Sequence, residues 1–422
     1  MNKVEQCIQS LETGHLTRAK EIYETIKNSG TEEEQFLLAE ALRGLGFLDQ
    51  AASLYNNLLK HNVDDGELLT TLADIYIQLD REDEALNILN KIKKNDPFYI
   101  QSLLLQADLY VSQGLFEVSE QKLFEAEKID PNEPVVQLAL AEFYASIGRF
   151  AEAIYKFEQI LPQVSELNDI NIFQRLAEIY STAGEFEKAI HYYERVLEDR
   201  LDIDCLFGYG LTAYQAGMFE RAIEKLKETI QLDPEYQSAY LPLARSYEHI
   251  EDLENAIKIA KKGIEINPFQ KELYQFAGKV CLKRGEEKEA EQYFKEAIKL
   301  DPSYLDAVLT LNKLYLKQMR YADIIELVEP MILEGEEDPY LLWDYALSCD
   351  KEERFSDALN AYQKAYSYLK ENEEFLSNYG FFLLEEGNHI AAIEVFKQLR
   401  KMDPTNVEYI ELLERLEETS LE

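Results

Sequence analysis

The chain has 422 residues, 46% of them hydrophobic, with only 17 Gly and 11 Pro, a composition that excludes collagen-like and low-complexity classes and leaves ample apolar side chain for a core. Its 43 basic residues stand against 81 acidic ones, a net charge of −38, and such a surface repels phosphate backbones and anionic lipid within a Debye length of about 8–10 Å. No concentrated basic face argues for nucleic acid, and no apolar run approaches the ~18 residues of a membrane span.

Taken in chain order, the N-terminus Met1-Asn2-Lys3-Val4-Glu5-Gln6 lacks the basic-then-apolar pattern of a secretory leader, which predicts a cytosolic protein. From there one small residue recurs: Ala19, Ala51, Ala85, Ser119, Ala153, Ala189, Ala222, Ala256, Ala290, Ile324 (the one large exception), Ala358 and Ala392. The separations are 32, 34, 34, 34, 36, 33, 34, 34, 34, 34 and 34 residues. A period near 34 over the whole chain predicts stacked helical hairpins, each contacting only its neighbours, rather than two or three globular domains.

One unit shows the pattern. Ala239 to Tyr247 and Leu253 to Ala260 carry small or aromatic residues at i, i+3, i+4 and i+7, which predicts two amphipathic helices. Asp96-Pro97, Asp130-Pro131, Asp233-Pro234, Asn267-Pro268, Asp301-Pro302 and Asp403-Pro404 close six units; Pro is expected in the first turn of the next helix, with Asp as its cap. Ala73, Tyr76, Ala85, Leu89 and Pro97 in the third unit, Ala141, Tyr144, Ala153 and Phe157 in the fifth, Gly278, Ala290, Phe294, Ala297 and Pro302 in the ninth, and Gly380, Ala392, Phe396 and Pro404 in the twelfth resemble the tetratricopeptide repeat family. The resemblance covers residues 1–404. It implies an all-α, right-handed α-solenoid of about twelve helix-turn-helix units, with helix A of each unit lining a concave groove.

Departures from the pattern divide the chain. Residues 1–161 form a first array of five units, of which the first is degenerate, with Cys7 and Ser10 at positions expected to be small or aromatic. The one two-residue expansion, 162–170, reads as an irregular linker. A middle array follows over 171–335, then two C-terminal units over 336–404. In the tenth unit Pro330 falls inside helix B, where a proline kinks a helix at a cost of ~3 kcal/mol, so the stacking is expected to be disturbed near 330–339. Residues 405–422 read as a capping helix and tail, with Thr405 and Glu408 resembling a capping box.

Catalytic and metal constellations are missing. His15, His61, His191, His249 and His389 are scattered, and there is no HExxH, GxSxG or GxxxxGK. Cys7, Cys205, Cys281 and Cys349 form no CxxC and read as small core hydrophobes. No enzyme, cofactor or metal is expected, and function is expected in the groove.

The position one residue after the small residue of helix A faces that groove. It reads Ile8, Glu40, Asp74, Asp108, Glu142, Glu178, Leu211, Arg245, Lys279, Lys313, Leu347 and Phe381. The five carboxylates are either ordinary solvated helix positions or a ladder that recruits a basic partner. Arg245, Lys279 and Lys313, with Lys283 and Lys317 beside them, are rarer in so acidic a chain and are expected to contact an acidic segment. Trp343, Leu347 and Phe381, with Leu309, Leu316 and Leu384, form an apolar stripe that is either an interaction site or core. Phe207, Tyr214 and Phe219 make a milder cluster in the seventh unit. The Lys–Asn clamp by which the family often holds a peptide carboxylate is missing, since the matching sites carry Leu241, Gln275 and Leu309; Asn171, Gln174 and Arg175 echo it partially.

These features predict a cytosolic scaffold or adaptor whose groove takes a protein or peptide partner. Two other readings stay open at this point: a homodimeric spacer that assembles through the apolar stripe, and a peptide-responsive regulator of a signalling protein.

Overall fold

A computed structural model describes residues 2–419. The chain forms two compact units, Met1–Cys205 and Leu206–Glu422. The first unit pairs α1 (Lys3–Glu12) with α2 (Leu16–Ser29), α3 (Glu32–Gly44) with α4 (Leu48–Leu58), α5 (Gly66–Gln78) with α6 (Glu82–Leu89), α7 (Tyr99–Ser112) with α8 (Phe116–Ile129), α9 (Pro134–Ser146) with α10 (Phe150–Ile160), and α11 (Ile172–Thr182) with α12 (Phe186–Asp199). Between α10 and α11 lies a hairpin of β1 (Glu166–Leu167) and β2 (Ile170–Asn171).

Helix α13 (Ile203–Gln215) starts at the end of the first unit and pairs with α14 (Phe219–Leu232). The second unit continues with α15 (Tyr240–His249) and α16 (Leu253–Ile266), α17 (Lys271–Lys283) and α18 (Glu287–Leu300), α19 (Leu305–Lys317) and α20 (Tyr321–Leu333), α21 (Pro339–Lys351) and α22 (Phe355–Leu369), α23 (Glu373–Glu385) and α24 (His389–Met402), and a last helix α25 (Val407–Thr419). Each unit thus has the α-solenoid architecture expected from the period, and the described residues together hold twelve tandem helix pairs and one last helix.

The recurring residue stands on the second helix of every pair, and all twelve examples, Ile324 included, are at most 2% exposed. A small side chain there lets the two helices of a pair approach. The first helix contributes too: a Cβ on Gly278 would lie 2.7 Å from the Phe294 ring, so α17 meets α18 only because that position is glycine.

A second signal with the same period sits in the turn inside each pair. Gly14, Gly46, Gly114, Gly148, Gly184, Gly217, Gly285 and Gly387 have φ between 72° and 81°, the left-handed conformation in which helices commonly end. At the remaining four turns that conformation is held by Asp80, Glu251, Met319 and Glu353, with φ of 57° to 62°.

Two local expectations are corrected. The Pro of each Asp/Asn-Pro pair lies in the connection between pairs rather than in the next helix, and Asp96, Asp130, Asp233, Asn267, Asp301 and Asp403 each accept the N–H of the second residue on. These are Asx turns that carry the chain across the proline. Helix α20 continues through Pro330 to Leu333, which places the proline in its last turn. At α25 the cap is Asn406, whose Oδ1 accepts from Glu408 and Tyr409 N–H, while Thr405 bonds Asp403 instead. Of the predicted tail, residues 420–422 lie outside the described residues.

The two-residue expansion has built the hairpin. Leu167 pairs with Ile170 and Glu166 with Asn171, and the two loop residues Asn168 and Asp169 both have positive φ, 51° and 63°. That is the backbone of a tight turn whose twist matches its strands, and Asn-Asp suits it because both side chains tolerate left-handed φ. Asn171 then caps α11 by accepting from Gln174 N–H at 3.1 Å.

Candidate interaction surface

The predicted carboxylates fall on the first helices of successive pairs in the first unit, and most are engaged within the chain. Glu40 on α3 accepts from Arg43 at 2.9 Å and from the Tyr55 hydroxyl. Burial pushes its carboxyl up, but those two hydrogen bonds outweigh it and leave the group below its ordinary range. Asp74 on α5 accepts from Gln78 at 2.8 Å. Glu142 on α9 takes two bonds from one guanidinium, Arg175 Nε at 2.8 Å and its Nη2 at 2.5 Å. Glu178 on α11 is bound by the same Arg175 and by Gln174 Nε2 at 3.2 Å.

Arg175 is therefore the residue that organises this face, and the spacing alone undervalued it. Its guanidinium joins α9 to α11, and the bonds to Glu142 raise its pKa beyond the ordinary arginine value. The partial echo of a carboxylate clamp is corrected at the same time: Asn171 is a helix cap, Gln174 bonds Glu178, and Arg175 is held by two carboxylates.

Asp108 on α7 differs from the other four. Among the described residues it has no hydrogen bond and no ion pair. The residue is exposed, but its carboxyl stands beside a recess whose walls displace part of the surrounding water, and this loss of hydration raises its pKa.

In the second unit the cations divide into two groups. Lys283 pairs with Glu248 at 2.6 Å and Lys317 with Glu287 at 2.6 Å. Arg245 on α15, Lys279 on α17 and Lys313 on α19, at equivalent positions of three consecutive pairs, make no hydrogen bond or ion pair among the described residues. Lys279 and Lys313 are exposed and Arg245 is half-buried.

The apolar stripe is half-buried and leans on the core. Leu309, Leu316, Trp343, Leu347, Phe381 and Leu384 all pack against it. The Trp343 ring meets Phe375 edge-on at 5.7 Å between centroids, and Phe381 meets Phe396 the same way at 5.3 Å. The indole Nε1 is buried without a hydrogen-bond partner. Beside Trp343, Asp344 is 9% exposed and accepts from the fully buried Asn312 at 3.2 Å. Burial pushes the Asp344 carboxyl up to about 6, against the downward pull of Asn312 and of the Lys313 charge, while Asp338 adds to the rise. Nothing in the sequence pattern singled out this buried acid. In the seventh pair, Phe219 stacks on His249 with centroids 4.3 Å apart, Tyr214 lies against both rings, and Phe207 faces Tyr236 instead.

All four cysteines are buried and unpaired. Burial pushes the Cys205 and Cys281 thiols up to about 12 and Cys349 to about 11, so they stay protonated at neutral pH and unreactive.

Comparison with known proteins agrees with the repeat pattern. A family model described as YpiA-like tetratricopeptide repeats matches residues 112–164, and one for YpiA-like C-terminal tetratricopeptide repeats matches 339–406. General tetratricopeptide repeat models match 42–109, 175–236, 213–279 and 271–304. The TPR repeat-containing protein YpiA of Bacillus subtilis is 38% identical over 415 residues, covering 98% of this chain and 98% of its own length. A DnaJ homolog subfamily C member 7 homolog of Schizosaccharomyces pombe is 27% identical over 43% of this chain and 38% of its own. Among solved structures, a tetratricopeptide repeat protein from Parabacteroides merdae is 16% identical with a TM-score of 0.43, covering 60% of this chain and 99% of that one.

Proposed function

Since this chain belongs to the YpiA-like tetratricopeptide repeat proteins, we propose that it is a cytoplasmic scaffold or adaptor that binds a protein or peptide segment along the first-helix face of its pairs. Tetratricopeptide repeat proteins in general mediate protein–protein interactions. The observation that carries the reading is the row Arg245, Lys279 and Lys313: three cations with no hydrogen bond or ion pair among the described residues, in a chain of net charge −38, next to two lysines that have theirs. An acidic segment of a partner supplies the missing counter-charges. Exposed ion pairs contribute only about 0–1 kcal/mol each, so the half-buried apolar residues around Trp343 provide most of the affinity and the cations set direction and selectivity.

The test is capture of partners from native lysate by the full chain, with Lys279→Glu and Trp343→Ala beside it. Loss of the same partners in both variants is expected. If neither substitution changes what is captured, the face is not the binding surface.

A further inference from the structure

The first unit contains a recess that no family feature accounts for. Its volume is ≈ 550 Å³, within the range of about 300–1,000 Å³ typical of ligand pockets. Helices α7 and α9 form its long walls through Leu104, Val111 and Leu138, the buried side chains of α8 close its back, and the tip of the β-hairpin closes one end through Asn168 and Ile170. That end wall exists because of the two extra residues in the fifth unit, and its tight turn fixes it in place. Half of the lining is aliphatic, and the rest includes Ser112, Ser119, Ser146 and Asn168 and two carboxylates, Asp108 and Glu142.

Those two carboxylates are not equivalent. Glu142 has both oxygens occupied by Arg175, so that carboxylate already has a cation, one it shares with Glu178. Asp108 makes no hydrogen bond or ion pair among the described residues, although Ser112, Ser119, Ser146 and Asn168 also line the recess. An exposed carboxylate that lines this recess and makes neither is left without a counter-charge. What satisfies it is a long side chain with an aliphatic stem for the walls and a cationic head for the carboxylate, the build of lysine and arginine. The recess opens onto the face where Asp74 and Glu142 flank Asp108 on the neighbouring first helices, so an occupant that continues along this face is a polypeptide rather than a free amine.

We propose that this recess is a specificity pocket for one lysine or arginine side chain of a partner protein, with Asp108 as the residue that reads the positive charge and Ile170 of the hairpin as part of the wall that reads the stem. The inference rests on the reading of this face as a protein-binding surface and adds the chemistry of one anchor residue.

The test uses the full-length chain and short synthetic peptides that share one uncharged sequence and differ at a central position, which is Lys, Arg, norleucine or Glu. Wild-type protein is expected to prefer the Lys and Arg peptides over norleucine by about tenfold or more, the discrimination of a charge-assisted hydrogen bond. Asp108→Asn is expected to lose that preference while keeping its thermal transition, since Asp108 makes no hydrogen bond or ion pair among the described residues. Ile170→Trp, which fills the recess, is expected to weaken Lys and norleucine peptides alike. The inference fails if Asp108→Asn keeps the preference, if norleucine binds as well as lysine, or if spermine binds while no peptide does. Peptide binding without any charge preference sinks only this inference, whereas absence of any peptide or amine binding sinks the binding-face reading with it.

Discussion

The two units place different chemistry at equivalent positions of the same scaffold. In the first, the position after the small residue of helix A carries carboxylates, and four of the five are tied up inside the chain, two of them sharing the guanidinium of Arg175. In the second it carries three cations that make no hydrogen bond or ion pair among the described residues, of which Lys313 acts on the buried acid Asp344 through its charge, and a half-buried apolar stripe flanks them. The helix-closing residues are buried alike in both. Repeat proteins separate these jobs, because each pair is stabilised by its neighbours through the register positions and the remaining face is left to vary. The contrast teaches that charge on this face is a structural brace in one unit and an unmet demand in the other.

The largest effect that sharpens this contrast belongs to Asp344. In the unfolded chain an aspartate titrates near 3.8, and in the folded chain burial pushes Asp344 up to about 6. A raised folded-state value means the native state is favoured at low pH, loses stability as pH rises from about 4 to 6, and carries the full penalty above that. The shift corresponds to about 2–3 kcal/mol. Asp344→Asn is therefore expected to stabilise the protein by about that amount at pH 7 and by almost nothing at pH 4. The new amide keeps a bond to Asn312 and offers a donor to Asn312 Oδ1, which has no partner at present. Urea denaturation of wild type and variant at both pH values gives the difference, and an equal ΔΔG at the two would refute it.

Next in size is Arg175. Arg175→Met leaves Glu142 and Glu178 half-buried and facing each other without a cation, and a loss of about 1–2 kcal/mol is expected. Lys279→Met removes an exposed cation without partners and is expected to fall within about ±0.5 kcal/mol. Chemical denaturation measures both. A Lys279 effect as large as that of Arg175 would mean that the second unit also uses its charges as braces, and the contrast would collapse.

Most of the fold was legible because it is written once per repeat: a close helix–helix contact demands a small residue, and twelve repetitions turn a weak preference into a register. The face positions were legible as locations for the same reason. Their states were not. Whether Glu142 is free depends on Arg175, 33 residues away in the next pair, and no periodic rule says which long side chain swings toward which neighbour. The hairpin appeared in the sequence only as two surplus residues, since a four-residue ladder gives too short an alternation to stand out. The proline expectations erred because Asp-Pro suits both a helix start and an Asx turn, and the length of the following connection decides between them.

The smallest expected effect tests whether the units also differ in backbone strain. Of the four non-glycine residues held left-handed inside a pair, Asp80 is in the first unit and Glu251, Met319 and Glu353 are in the second. Left-handed φ costs an ordinary L-residue roughly 1–2 kcal/mol, and less for Asp, whose short side chain bonds locally. Met319 is 76% exposed, so replacing it loses no packing. Met319→Gly relieves the strain but adds about 0.5–1 kcal/mol of unfolded-state entropy, and a net gain of about 0.5–1 kcal/mol is expected. Asp80→Gly removes less strain for the same entropy and is expected to come out near zero. Thermal denaturation of the two variants decides the point: an equal gain at Asp80 and Met319 would mean that residue chemistry at this turn does not matter, and that the surplus of such turns in the second unit has no energetic consequence.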